Sequence, residues 1–328
     1  MNLKNKLQKF FFFLLVIMPL NVFAYSDYVV VGGNNIGIEV NSKGIIVVGF
    51  YEVNGKQIAK ESGFYLGDVI TKVNDKEVNS IDDMAKKVDS AADKKNINFT
   101  IIRGETEKVI NLSLFKDSKG VYKTGLYVKD EIMGIGTLTY IDPATKIYGA
   151  LGHEILEANS NVKIEVKDGK IFKANIIGVN KSTKNTTGEK KASFERETTY
   201  GNIKENTTSG IFGIYSTEFD ETNLTKVGLP EDIKIGPAKI RTVLEGNKIE
   251  EYNINIIKIN KDTVSKNILF EITDEKLKEK TNGIIKGMSG SPIIQNNMII
   301  GAVTHAIVND NSKGYGIFIT TMLKEGEN

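Results

Sequence analysis

Ser289 stands within KGMSGSPIIQNNMIIGAVTHA, Lys286 to Ala306, where a Gly-x-Ser-Gly-x-Pro turn lies between apolar runs. A serine hydroxyl is unreactive at neutral pH unless a base takes its proton, and that base is in turn held by an acid. Gly287 and Gly290 flank Ser289 and let the backbone turn sharply. The amides of Gly287 and Ser289 can then converge on one point, as an oxyanion hole requires. Pro292 opens the outgoing strand, where its missing N–H is tolerated. The same pattern also serves as plain turn chemistry, so the partners of Ser289 decide its meaning.

The base has two candidates, because the chain contains two histidines, His153 and His305. His153, in YGALGHEI, follows a strand and sits between glycine and glutamate, where its ring can project. His305, in GAVTHAIV, lies mid-strand among apolar residues. It suits a satisfied structural group, or a wall of the pocket for the substrate side chain next to the cut. Two histidines this far apart, with no carboxylate motif, do not make a metal site. The acid stays open on these grounds. Asp274 ends a strand in FEITDEKL; Glu271 and Glu275 flank it, and Asp142 is near His153 in sequence. A carboxylate before a helical turn is most simply an N-cap.

Composition narrows the classes. The 328 residues can form two domains of ordinary size. Forty-three basic against 41 acidic residues leave a net charge of +2, which gives no field for nucleic acid or anionic lipid. The absence of cysteine removes disulfides, thiolate metal sites and cysteine nucleophiles. At the N-terminus, MNLKNKLQKF carries three lysines, and an apolar run from Phe10 to Leu20 precedes NVFA. That run is shorter than the roughly 20 residues a spanning helix needs. Residues 1–24 therefore read as a signal peptide, or as an uncleaved signal anchor, and the protein as exported.

The elements that must position these residues are mainly β. IGIEV (36–40), GIIVVGFY (44–51), DVITKVND (68–75), INFTIIR (97–103) and KVINLSLF (108–115) read as strands, and SIDDMAKKVDSA (80–91) as a helix with an N-cap serine. This order over 28–115 resembles a PDZ domain. Asn35, Ile36, Gly37 and Ile38 stand at its carboxylate-binding loop, and ESGFYLGDVITKVNDKEV matches its glycine-aspartate segment. Such a loop would take an extended peptide by β-augmentation. A polar stretch at 116–125 marks the boundary. Beyond it, dense strands with one short helix at DEKLKEKT suggest one or two barrels, with 181–200 as an exposed connection.

From about Gly120 onward, GIGTLTYIDPATKIYGALGHEI, FEITDEKLKEKTNGIIKGMSGSPIIQ and GAVTHAIVNDNSKGYGIFI resemble the SpoIVB sporulation serine peptidases, the S55 family. The resemblance implies a chymotrypsin-like β-barrel serine peptidase domain over 120–328, with His153, Asp274 and Ser289 as the triad and no cofactor. It also implies limited cuts in a membrane-anchored, SpoIVFA-like regulator and in the enzyme itself, activating late sigma-factor processing from the space between the forespore membranes. The PDZ domain would hold the enzyme's own N-terminal segment. Asp274 stands only fifteen residues before Ser289, closer than chymotrypsin-like spacing usually has it. Two other functions fit the same residues: an inactive PDZ/peptidase-like adaptor, and a general extracytoplasmic quality-control protease. Many cuts in unfolded casein would mark the latter.

Overall fold

A computed structural model of the chain describes residues 25–327 apart from 92–95, 118, 185 and 308. The targeting segment expected at 1–24 lies outside the described residues. The fold is mainly β.

Six strands close one ring. Gly236–Val243 pairs with Ile249–Ile259, which continues to Ile268–Ile272, Asp310–Phe318, Met298–Ile307 and Pro292–Gln295, and the last returns to Gly236–Val243. Alternating apolar residues on these strands give a core that includes Ile240, Tyr252, Ile256, Phe270, Ile293 and Val303. A second ring runs through Glu189–Asn202, Val166–Asn180, Asn35–Phe50, Leu126–Ile141, Ile147–Ala150 and Gly210–Ile214. A bridge between Gly201 and Tyr215 closes it. Ile36, Ile38, Leu138, Tyr148, Ile171 and Ile211 belong to its core. The strand Tyr28–Val31 ties the two rings together: it pairs with Ile141 and Tyr140, and with Leu224–Val227, which runs parallel to Met298 and Ile299.

The PDZ unit uses the second half of Asn35–Phe50 with Val69–Val73, Asn96–Arg103 and Thr106–Ser113. The helix Ile81–Ala91 covers its core through Met84 and Val88, and the Ser80 hydroxyl accepts from Asp83 N–H at its start. The expected glycine-aspartate segment has a structural use. Asp68 is buried and grips the Arg103 guanidinium with both oxygens at 2.7 Å, a charge-assisted fork.

Three expectations are corrected. IGIEV and GIIVVGFY are one continuous strand, because the polar Asn41–Lys43 stretch stays extended between paired neighbours. Asn35 to Ile38 are not a loop. They are buried, with the strand Val166–Asn180 on one edge (Ile36 opposite Lys173) and Leu126–Ile141 on the other (Ile36 opposite Gly136). With both edges taken, that segment cannot accept a peptide strand. The polar run 181–200 is not simply an exposed connection, since Glu189–Asn202 is the outer strand of a long hairpin and its Lys190 is buried.

Candidate active site

The Ser289 turn is built by glycine and held by threonine. Gly287 and Gly290 have φ of +92° and +89°, a region that costs other residues strain. A Cβ on Gly290 would lie 2.1 Å from the Thr137 carbonyl oxygen, so the close approach also demands glycine. Two buried threonines on Leu126–Ile141 fasten the turn. Thr137 donates its N–H to the Ser289 carbonyl at 2.9 Å and its hydroxyl to the Gly287 carbonyl at 2.8 Å, and Thr139 donates its hydroxyl to the Gly290 carbonyl at 2.8 Å. Sequence reasoning missed these threonines, because nothing local separates them from other strand residues.

His153 follows the strand Ile147–Ala150 through Leu151 and Gly152, both at positive φ. Leu151 is buried, and its bulky side chain at φ +68° marks a turn that its surroundings impose. The turn carries His153 from one ring to Ser289 on the other, with His153 Nε2 2.9 Å from Ser289 Oγ. His153 Nδ1 lies 2.8 Å from the Glu154 carbonyl oxygen. A carbonyl only accepts, so Nδ1 carries the proton and Nε2 of the neutral ring is bare. The Ser289 hydroxyl can therefore donate to Nε2, with the Thr304 carbonyl at 3.0 Å as its other acceptor. Burial pushes the His153 pKa below its ordinary 6.5, partly opposed by the bond to Glu154 and its charge.

The structure does not bring Asp274 to this pair. Its carboxylate caps the helix Glu275–Thr281 by accepting from Leu277 N–H at 3.1 Å, and it accepts from Asn253 N–H at 3.1 Å. The strand Ile268–Ile272 delivers it to that helix start, so the N-cap is the role it has here. Asp142 is committed elsewhere too, accepting from Ser26 and from the Ala144 and Thr145 amides. Among the described residues, no carboxylate is hydrogen-bonded to His153.

His305 lies on the strand Met298–Ile307, with its ring centroid 5.0 Å from that of His153. Partial desolvation of its otherwise exposed ring, then the neighbouring His153 and Lys266, push its pKa down to about 4, so its ring is neutral near pH 7. It shares with His153, Ser289, Gly287, Met133 and Ile135 a cleft with a volume of about 680 Å³. The Gly287 and Ser289 N–H groups have no hydrogen-bond acceptor among the described residues. Ser291 N–H holds the Met288 carbonyl at 2.9 Å. Across a trans peptide this directs the Ser289 N–H the opposite way.

Residues 120–323 match the family described as SpoIVB peptidase S55, and residues 35–114 match the PDZ domain. No match to a curated protein was found. Among solved structures, the chain is similar to the PDZ domain of the SdrC-like protein from Listeria monocytogenes, at 17% identity over 28% of this chain and 93% of that chain, TM-score 0.24. It is also similar to the Rv3671c protease from M. tuberculosis. The active form gives 13% identity over 58% of this chain and 71% of that chain, TM-score 0.32. The inactive form gives 14% over 57% and 80%, TM-score 0.30.

Proposed function

The chain belongs to the SpoIVB peptidase S55 family, and from that premise we propose that it is an exported serine endopeptidase making limited cuts in a membrane-anchored sporulation regulator and in itself. The observation that carries the peptidase chemistry is the Ser289 hydroxyl 2.9 Å from the unprotonated Nε2 of His153, beside two amides with no acceptor among the described residues. Ser289 Oγ attacks the scissile carbonyl while His153 takes its proton, and His153 then returns that proton to the leaving amine. The Gly287 and Ser289 amides receive the oxyanion. In mechanisms of this kind one such donor contributes about 3–4 kcal/mol. The Glu154 carbonyl fixes the His153 tautomer, the positioning part of the work an aspartate does in a triad. Water then repeats the cycle on the acyl-enzyme.

His305 offers an uncharged ring to the substrate side chain next to the cut, which favours a polar, uncharged or small apolar group there. Family membership supports the regulator and the enzyme itself as substrates, and export to the space between the forespore membranes. Any hold of the PDZ unit on the enzyme's own N-terminal segment has to use a surface other than Asn35 to Ile38, whose edges are already paired.

Purified residues 25–328 and their Ser289→Ala variant, followed by intact mass over hours, test this reading. Fragments are expected from the unmutated protein alone, with cleavage reduced about 10⁶-fold in the variant. If both stay intact and neither reacts with a fluorophosphonate probe, the proposal fails.

A further inference from the structure

Lys190 carries a buried amine that the mechanism above does not use. It is the second residue of the strand Glu189–Asn202 and is 4% exposed, between exposed Glu189 and Lys191. Its Nζ donates to Asn35 Oδ1 and to Thr242 Oγ1, both at 2.8 Å. Both partners are neutral. Asn35 turns its oxygen to the amine and leaves its own Nδ2 buried without a partner among the described residues, an arrangement suited to a charged donor rather than to an amide satisfied for itself.

The same residue touches the oxyanion segment twice. Its N–H donates to the Lys286 carbonyl at 3.0 Å, and Lys286 N–H donates back to the Gly188 carbonyl at 2.8 Å. The Lys286 carbonyl and the Gly287 N–H belong to one peptide unit and point opposite ways. Holding the carbonyl therefore aims the Gly287 N–H, one of the two amides without an acceptor among the described residues. The Lys190 stem also lies against Gly287, where an added Cβ would meet Lys190 Cδ at 3.0 Å and Cβ and Cγ at 3.2 Å. The amine lies two bonds beyond that Cδ.

We propose that Lys190 is a positioning residue of the oxyanion site: its backbone fixes the Lys286–Gly287 peptide, and its buried ammonium anchors that segment and keeps positive charge close to the Gly287 amide. The inference rests on the serine-peptidase reading. It adds a requirement on protonation, because a neutral amine holds its acceptors less firmly and supplies no charge. Burial alone lowers the Lys190 pKa to about 7, and no ionised side chain contributes to that shift. The groups facing the amine are Asn35 from the strand Asn35–Phe50 and Thr242 from Gly236–Val243. The nearby charges, Glu189 and Lys191 on its own strand and Lys286 on the oxyanion segment, are exposed. Reactivity should therefore rise as His153 loses its proton and fall again as Lys190 loses its own.

The test is the second-order rate of Ser289 labelling by a fluorophosphonate probe, read from pH 5 to 9.5. The unmutated protein should give a bell. Lys190→Met should react about tenfold or more slowly at pH 6.5 and lose the alkaline fall. Lys190→Arg, which stays charged, should keep reactivity into the alkaline range. Thr242→Val keeps the volume but removes one acceptor of the ammonium, so it should move the alkaline fall to lower pH. It decides the matter if Lys190→Met does not fold. A Lys190→Met or Thr242→Val profile that superimposes on that of the unmutated protein overturns the role of Lys190. Failure of the unmutated protein to label is a different result, because it removes the peptidase reading and this inference with it.

Discussion

At the scale of single residues, the site was legible where residue types were scarce. Two histidines and one Gly-x-Ser-Gly turn left few pairings, and the structure sets His153 and Ser289 at hydrogen-bond distance. Asp274 was not legible, because a carboxylate that ends a strand before a helix looks the same whether it faces an imidazole or its own helix amides. The capping geometry predicts that Asp274→Asn, an equally good N-cap, leaves kcat within a few-fold of the unmutated value. Asp274→Ala should cost about 1 kcal/mol of stability. Loss of the orienting acid of a triad would instead lower kcat by about 10⁴, so a steady-state assay of Asp274→Asn separates the two roles. Lys190 was hidden for a related reason, being one of four lysines in the polar stretch 181–200. Its folded pKa of about 7 lies below its ordinary 10.5, so between those values the unfolded chain binds more protons than the folded one. Stability from this group therefore rises with pH through that window and is lowest below pH 7. Lys190→Met should remove this pH dependence, which urea unfolding at pH 6.5 and pH 9 measures. A variant that is more stable yet less reactive would show a buried cation kept for the site rather than for the fold.

At the scale of elements, the sequence showed where apolar alternation was strong and misled where glycine and polarity carried another meaning. The helices at 81–91 and 275–281 follow from their caps and spacing, and the strands of the closed ring from their β-branched runs. Asn35 to Ile38 read as a ligand-binding loop because NNIGI stands where the PDZ resemblance puts that loop. Gly37 is extended inside a strand instead, and an added Cβ would sit 2.2 Å from the Phe172 ring. Glycine is there for close packing between strands, a distinction only the neighbouring strand can reveal. Gly37→Ala should therefore destabilise the protein by about 1–3 kcal/mol through overpacking and shift the urea midpoint with little change in slope. A neutral result would return the segment to the role of an open loop.

At the scale of the whole molecule, Ser289 and His153 come from different rings, so their pairing exists only while the rings stay in register. The strand Leu126–Ile141 supplies much of that register. It starts against the PDZ core at Leu126, pairs with Asn35–Phe50 from Phe50 opposite Leu126 to Asn35 opposite Thr137, and ends by holding the Ser289 turn through Thr137 and Thr139. A chain of two independent domains would have its boundary in a free linker, as the polar stretch 116–125 suggested. Here two 16-residue strands run through both units instead. The sequence concealed this because pairing between segments about ninety positions apart leaves no local pattern. Cooperative unfolding follows, since melting the PDZ sheet frees one edge of the strand that holds Ser289. Urea unfolding followed by intrinsic tyrosine fluorescence, and separately by fluorophosphonate labelling of Ser289, should give coincident transitions. Labelling that persists after proteolysis within the PDZ segment 53–114, or a fluorescence transition that precedes its loss, would show that the two units stand independently and that the shared strands do not couple them.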